Sequence, residues 1–83
     1  MKRREKILHT IGTMCKQHRE RLGEKQCRVA EDTGYSEQNV SSFETGRTNN
    51  MILLLWYIDR GVFDMGNRLI LHKLLRGINN EDN

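Results

Sequence analysis

Proline is absent from the 83 residues, so no position removes a backbone donor or clashes with a preceding helical turn. Aromatic residues make up 6% of the chain, and Leu, Ile, Met, Glu, Lys, Arg and Gln are frequent. That balance disfavours sheet and favours helix. No apolar run approaches the ~18 residues that a membrane span requires; the longest, Met51 to Ile58, is far shorter. The charged start, Lys2-Arg3-Arg4-Glu5-Lys6, leads into no apolar segment with a small-residue cleavage site, so no signal peptide is expected and the expected location is cytoplasmic. There are two cysteines, Cys15 and Cys27. Their spacing matches no metal or redox motif, and two reduced thiols are expected, one in the core and one near the surface. His9, His18 and His72 likewise lack ligand spacing, so neither metal nor cofactor is expected. No acid–base pair, nucleophile–histidine set or phosphate-binding loop is present, and the chain is not expected to be an enzyme.

What is present is one domain's worth of amphipathic helix. The net charge is +3, unevenly placed. Residues 1–25 carry eight Lys/Arg against three Glu, whereas residues 26–50 carry two against four acidic residues. The basic N-terminal stretch could track phosphates or simply stay solvated. Ile7, Leu8, Ile11, Met14, Cys15 and Leu22 recur at helical spacing and predict a helix over 5–22, stopped by Gly23. Val29, Ala30 and Thr33 mark a short second helix ended by Gly34. Ser36 is placed to cap a third, in which Val40 and Phe43 face inward, and Gly46 stops it. Met51 to Val62 reads as a fourth helix with Ile52, Leu55, Trp56 and Ile58 as a broad apolar face, too broad for a surface helix. A fifth is expected over 65–76, carrying Met65, Leu69, Ile70, Leu74 and Leu75 and ending at Gly77. The expected fold is therefore an all-α bundle of four to five helices: one domain over 1–78, followed by a disordered tail at 79–83.

The stretch from Gln26 to Thr45 has the chemistry of a helix-turn-helix. Two helices that cross steeply need a small residue at their contact, which Ala30 supplies. The tight turn needs a residue that tolerates positive φ, which Gly34 supplies. Val29, Thr33, Val40 and Phe43 provide the buried faces.

The segment from Ile11 to about Val62 resembles the Cro/repressor-type (XRE, lambda-repressor-like) helix-turn-helix family of phages and mobile elements. The likeness rests on Arg19, Gly23, Gln26, Val29-Ala30, Gly34-Tyr35-Ser36, Asn39-Val40-Ser41, Phe43-Glu44 and Gly46-Arg47, and covers roughly 50 residues. It implies a sequence-specific transcriptional regulator that binds double-stranded DNA, with the third helix in the major groove. By the resemblance, Gln26 touches a phosphate. Glu37, Gln38 and Ser42 face base edges, with Asn39 and Ser41 as lesser candidates; Ser36 is a further candidate DNA contact, and Glu37 sits at the tip. Thr45 and Arg47 contact the DNA backbone. It also implies an internal ion pair between Arg19 and Glu44. Gln and Asn can bond bidentately to adenine, and a loop arginine can fix register on a phosphate. Two roles stay open for Glu37: accepting from cytosine N4, or stabilising a helix N-terminus.

The acidic motif and the apolar last helix leave a second function class open: an antirepressor-like module that keeps the fold and binds another regulatory protein. The fifth helix is apolar over a wide arc, so a homodimer is expected through Leu71, Leu75 and their neighbours. Two recognition helices set ~34 Å apart would read a palindromic operator.

Overall fold

A computed structural model describes residues 2–81, with the side chains of Met65 and residues 78–81 excepted. Among these there are five helices and no strand: α1 (Arg3–Leu22), α2 (Gln26–Thr33), α3 (Glu37–Glu44), α4 (Met51–Asp59) and α5 (Met65–Glu81). None is long and apolar enough to cross a membrane. The all-α architecture agrees with the composition.

The core forms where α1, α2, α3 and α4 meet. Cys15, Val29, Ala30, Val40, Phe43, Leu53, Trp56, Tyr57 and Val62 make one buried cluster, against which Ile11, Tyr35, Leu54 and Phe63 pack. Phe43 stacks on Tyr57 with ring centroids 5.6 Å apart, and Trp56 meets Tyr57 edge-on at 5.1 Å. Such pairs add to what simple burial contributes. α5 lies against α1.

Two glycines set how closely the helices approach. A Cβ on Gly12 would lie 2.6 Å from the Phe43 carbonyl oxygen and 2.7 Å from that of Glu44. Gly12 therefore lets the middle of α1 rest on the backbone at the end of α3. Gly46 repeats the arrangement: a Cβ there would lie 2.6 Å from the Cα of His9, and its φ is +78°.

Helix ends follow local chemistry. Ser36 and Asn39 form a capping box in which the Ser36 hydroxyl accepts from the Asn39 N–H at 3.1 Å and Asn39 Oδ1 accepts from the Ser36 N–H at 3.1 Å. Asn50, just ahead of Met51, caps α4: its Oδ1 accepts from the Leu53 N–H at 3.0 Å.

The structure corrects several expectations. α1 begins at Arg3 rather than at residue 5, so Arg3 and Arg4 of the basic stretch are helical as well. Leu22 is exposed at the end of α1. α4 stops at Asp59 rather than Val62, because Gly61, with φ +84°, turns the chain and returns Val62 to the core. Its buried face is Leu53, Trp56 and Tyr57, while Ile52, Leu55 and Ile58 are exposed. A helix that is apolar all round gives no sign of which side is inner; here the polar ends of Trp56 and Tyr57 find carboxylates, Asp32 at the surface of α2 and Glu44 in the interior. Lastly, α5 passes through Gly77 without a positive φ and runs to Glu81, so residues 79–81 of the expected tail are helical. Residues 82 and 83 lie outside the described residues, as do the side chains of Met65 and Ile78. Leu71, expected at a dimer contact, is half-buried in its own chain, while Leu75 is exposed.

Candidate nucleic-acid interface

α2 and α3 meet through a turn in which Gly34 adopts φ +81° and its N–H bonds the Ala30 carbonyl at 2.9 Å. Nothing lies within 4 Å of where a Gly34 Cβ would stand, so the backbone conformation and not crowding selects glycine. Val29 and Ala30 of α2 and Val40 and Phe43 of α3 are buried, leaving the opposite side of α3 to solvent. At 100° per residue, Gln38 and Ser42 fall directly opposite that buried stripe, with Ser41 to one side and Asn39 to the other.

The nine candidate residues divide into three groups. Glu37 and Gln38 are exposed, Ser41 and Ser42 half-buried, and the side chains of these four form no hydrogen bond with the described residues. Ser36, Asn39 and Thr45 are exposed but occupied with helix ends. Ser36 and Asn39 bond each other, and the Thr45 hydroxyl donates to the Ser41 carbonyl at 2.9 Å. Gln26 and Arg47 sit near the far end of α3. The Gln26 amide donates to Glu44 Oε1 at 3.0 Å, which leaves one of its two N–H groups for another acceptor. Arg47 is exposed in the turn held by Gly46, where its own N–H bonds the Ser42 carbonyl at 2.9 Å. One edge of α3 is thus open polar surface, and its C-terminal end adds an amide and a guanidinium.

Comparison with protein-family models, curated proteins and solved structures finds no match for this chain.

Beneath the surface lies a polar knot centred on Glu44, which is 2% exposed, against Arg19 at 7%. Arg19 grips both carboxylate oxygens, Nε at 2.7 Å and the second guanidinium nitrogen at 3.0 Å. The Tyr57 hydroxyl donates at 2.5 Å and Gln26 at 3.0 Å. Arg19 also donates to the Glu24 carbonyl at 2.9 Å. The expected pair is therefore part of a four-residue network that joins α1, α2, α3 and α4 behind the outward face of α3. No buried side-chain polar atom among the described residues lacks a partner.

Burial alone would raise the Glu44 pKa, but hydrogen bonds from Arg19, Tyr57 and Gln26 outweigh it and hold the carboxyl below its usual range. Burial and the adjacent Glu44 charge push Tyr57 up. Cys15, buried near the same charge, is pushed up to about 12, so it remains a neutral core thiol, while Cys27 is exposed and free.

The lowered Glu44 value has a consequence for acid stability. Below the ordinary carboxylate value of 4.5, the unfolded chain takes up this proton before the folded one does, so folding weakens as pH falls. Melting temperature should be flat in this respect above about pH 5 and should drop as pH falls toward the folded pKa. Glu44→Gln should show a shallower drop than wild type. Equal acid slopes in thermal melts of the two chains would remove Glu44 as the cause.

A second cluster, not anticipated from sequence, ties α2 to α4. Asp32 accepts from Trp56 Nε1 at 2.9 Å, Arg28 at 3.1 Å and Arg60 at 3.2 Å, and the Arg60 guanidinium stacks 3.8 Å above the Trp56 ring. These contacts hold the Asp32 carboxyl below its usual range, the Trp56 bond first among them. His18 Nε2 donates to the Arg60 carbonyl at 2.6 Å, fastening α1 to the end of α4. The Arg28–Asp32 pair could have been read from its i,i+4 spacing, but nothing local signals the Trp56 and Arg60 partners 24 and 28 residues away.

Proposed function

We propose that this chain is a sequence-specific double-stranded DNA-binding transcriptional regulator of the Cro/repressor type, carrying α3 into the major groove. One observation carries the reading. α3 is clamped on its inner side by Val40, Phe43 and the Glu44 network, while its outer side, led by Gln38 and Ser42, presents side-chain polar groups without partners among the described residues. Rigid placement of side chains that can bond base edges is what direct readout requires. The capped tip at Ser36 and the loop at Arg47 lie at either end of α3, where phosphates would flank it. Gln26 has one N–H left for such a phosphate. A palindromic operator read by two copies fits a module whose single helix spans only a few base pairs.

A second reading, binding to another regulatory protein, draws on the two Lys/Arg and four acidic residues between positions 26 and 50.

The test is a gel shift against the DNA that flanks the chain's own gene. Gln38→Ala should weaken specific binding by ~1–3 kcal/mol and relax preference at one base pair. Arg47→Ala should weaken all sequences about equally and lower the salt slope by ~1. Wild-type affinity for both specific and random duplex in the Gln38 variant would remove it as a reader. A loss confined to one operator variant would do the same for the phosphate role of Arg47.

A further inference from the structure

A groove of about 310 Å³ separates α1 from the C-terminal end of α3. Glu44 and Thr45 form its α3 wall. His9, Thr13, Lys16 and Glu20, spaced i, i+4, i+7 and i+11, form one row along its α1 wall, with Gln17 beside them. Around α3, at 100° per residue, the order from the buried side to the open side is Glu44, Ser41, Thr45, Gln38. Arg19 holds Glu44 from α1, so α1 borders the open face of α3 along its Ser41–Thr45 edge. The two elements touch through backbone: neither Gly12 nor Gly46 has room for a Cβ between them.

We infer that this groove takes a phosphate of the DNA backbone, with Lys16 as its cation and Thr13 and Gln17 as hydrogen-bond donors. The inference rests on the proposed DNA-binding function and deepens it, by naming the α1 residues that meet the strand running beside α3.

Three features favour this ligand. The first is position. A helix about 10 Å across, seated in a major groove about 12 Å wide, has a wall of phosphates along each flank. The element packed beside α3 meets that wall, and on the Ser41–Thr45 side this element is α1. The second is charge. Residues 26–50 carry two Lys/Arg against four acidic residues, and of the two, Arg28 is paired with Asp32 at 3.1 Å. Duplex binding draws its affinity from cations that neutralise phosphates, so cations beyond Arg47 have to come from outside the motif. Lys16 is exposed and lines a surface continuous with the open edge of α3. The third is the supply of donors. The Thr45 hydroxyl gives its proton to the Ser41 carbonyl, so Thr45 has none for a phosphate. The side chains of Thr13, Lys16 and Gln17 form no hydrogen bond or ion pair with the described residues, and the Lys16 ammonium alone carries three donors. Glu44 does not oppose an anion here, because Arg19 neutralises it. Glu20, exposed and without an ion pair, does oppose one, which supplies a variant of opposite sign.

The experiment titrates labelled duplex, from beside the chain's own gene and of random sequence, with the full chain between roughly 50 mM and 200 mM salt. The proteins are wild type, Lys16→Gln, Lys16→Arg, Glu20→Gln and, as a control that changes net charge equally, Lys73→Gln on α5. All three positions are exposed, and circular dichroism establishes that each variant is folded. Lys16→Gln should lower the salt slope by ~1 and weaken both duplexes alike, by about 10-fold at 100 mM salt. Lys16→Arg keeps the charge and should keep the slope. Glu20→Gln should strengthen both duplexes by about twofold. Lys73→Gln should match wild type. A wild-type slope in Lys16→Gln, an equal drop in Lys73→Gln, or a Glu20→Gln variant that binds no tighter would each overturn the groove alone, provided that wild type binds duplex. A wild type that binds no duplex would overturn the function and the groove with it.

Discussion

Replacing Glu44 by leucine is expected to destabilise the fold by about 3–5 kcal/mol, the usual cost of removing one partner from a buried ion pair. For a chain of this length, total stability is about 4–12 kcal/mol, so the variant would lose a large share of its stability. The reason lies in what remains. Arg19, 7% exposed, keeps its charge with no carboxylate, and Tyr57 and Gln26 each lose an acceptor. Arg19→Met leaves the opposite charge, but Tyr57 and Gln26 still donate to it, so its cost should be smaller than that of Glu44→Leu. The double variant removes both charges and should cost less than the two singles added together. Urea melts of the four chains give the coupling directly. Coupling near zero would mean that the pair is not a unit and that the four helices are not joined through it.

Gly46→Ala should be nearly as damaging, by about 2–5 kcal/mol, since a left-handed backbone and a steric clash coincide there. Two other glycines separate these causes. Gly34→Ala meets a φ of +81° but open space, and should cost only ~1–2 kcal/mol. Gly66 is helical with nothing within 4 Å, so Gly66→Ala should stabilise by roughly 0.5–1 kcal/mol. Thermal melts should therefore rank the three Gly66, Gly34, Gly46, from most to least stable. A Gly46 variant no worse than the Gly34 variant would show that α1 does not press on the α3–α4 turn through His9.

The elements that sequence predicted well are those whose signal is local. Gly23, Gly34 and Gly46 punctuate, Ser36 caps, and Val29, Ala30, Val40 and Phe43 repeat at helical spacing; all hold these roles in the structure. The bidentate Arg19–Glu44 contact came from resemblance, not from spacing, because the two lie 25 residues apart. A glycine in the middle of a helix costs stability; the reason for Gly12 is the α3 backbone pressed against it, visible only once the helices cross. α4 was the least legible element. With apolar residues on every side its inner face had no marker, and Leu53 and Tyr57 proved to be core where Ile52, Leu55 and Ile58 were expected. At the candidate site, the resemblance named the outward positions of α3, but only the geometry shows that Asn39 and Thr45 hold helix ends while Gln38 and Ser42 remain open.

The claim that this chain reads DNA is tested most directly by the salt dependence of its binding. Fluorescence anisotropy of a labelled duplex from beside the chain's own gene, titrated between roughly 50 mM and 200 mM salt, reads the counterions released when cationic side chains meet phosphates. The account predicts tight binding at low salt, a linear loss of log affinity with log salt, and a weaker affinity for random duplex at every point. Affinity unmoved by salt, or equal for specific and random duplex, would contradict it.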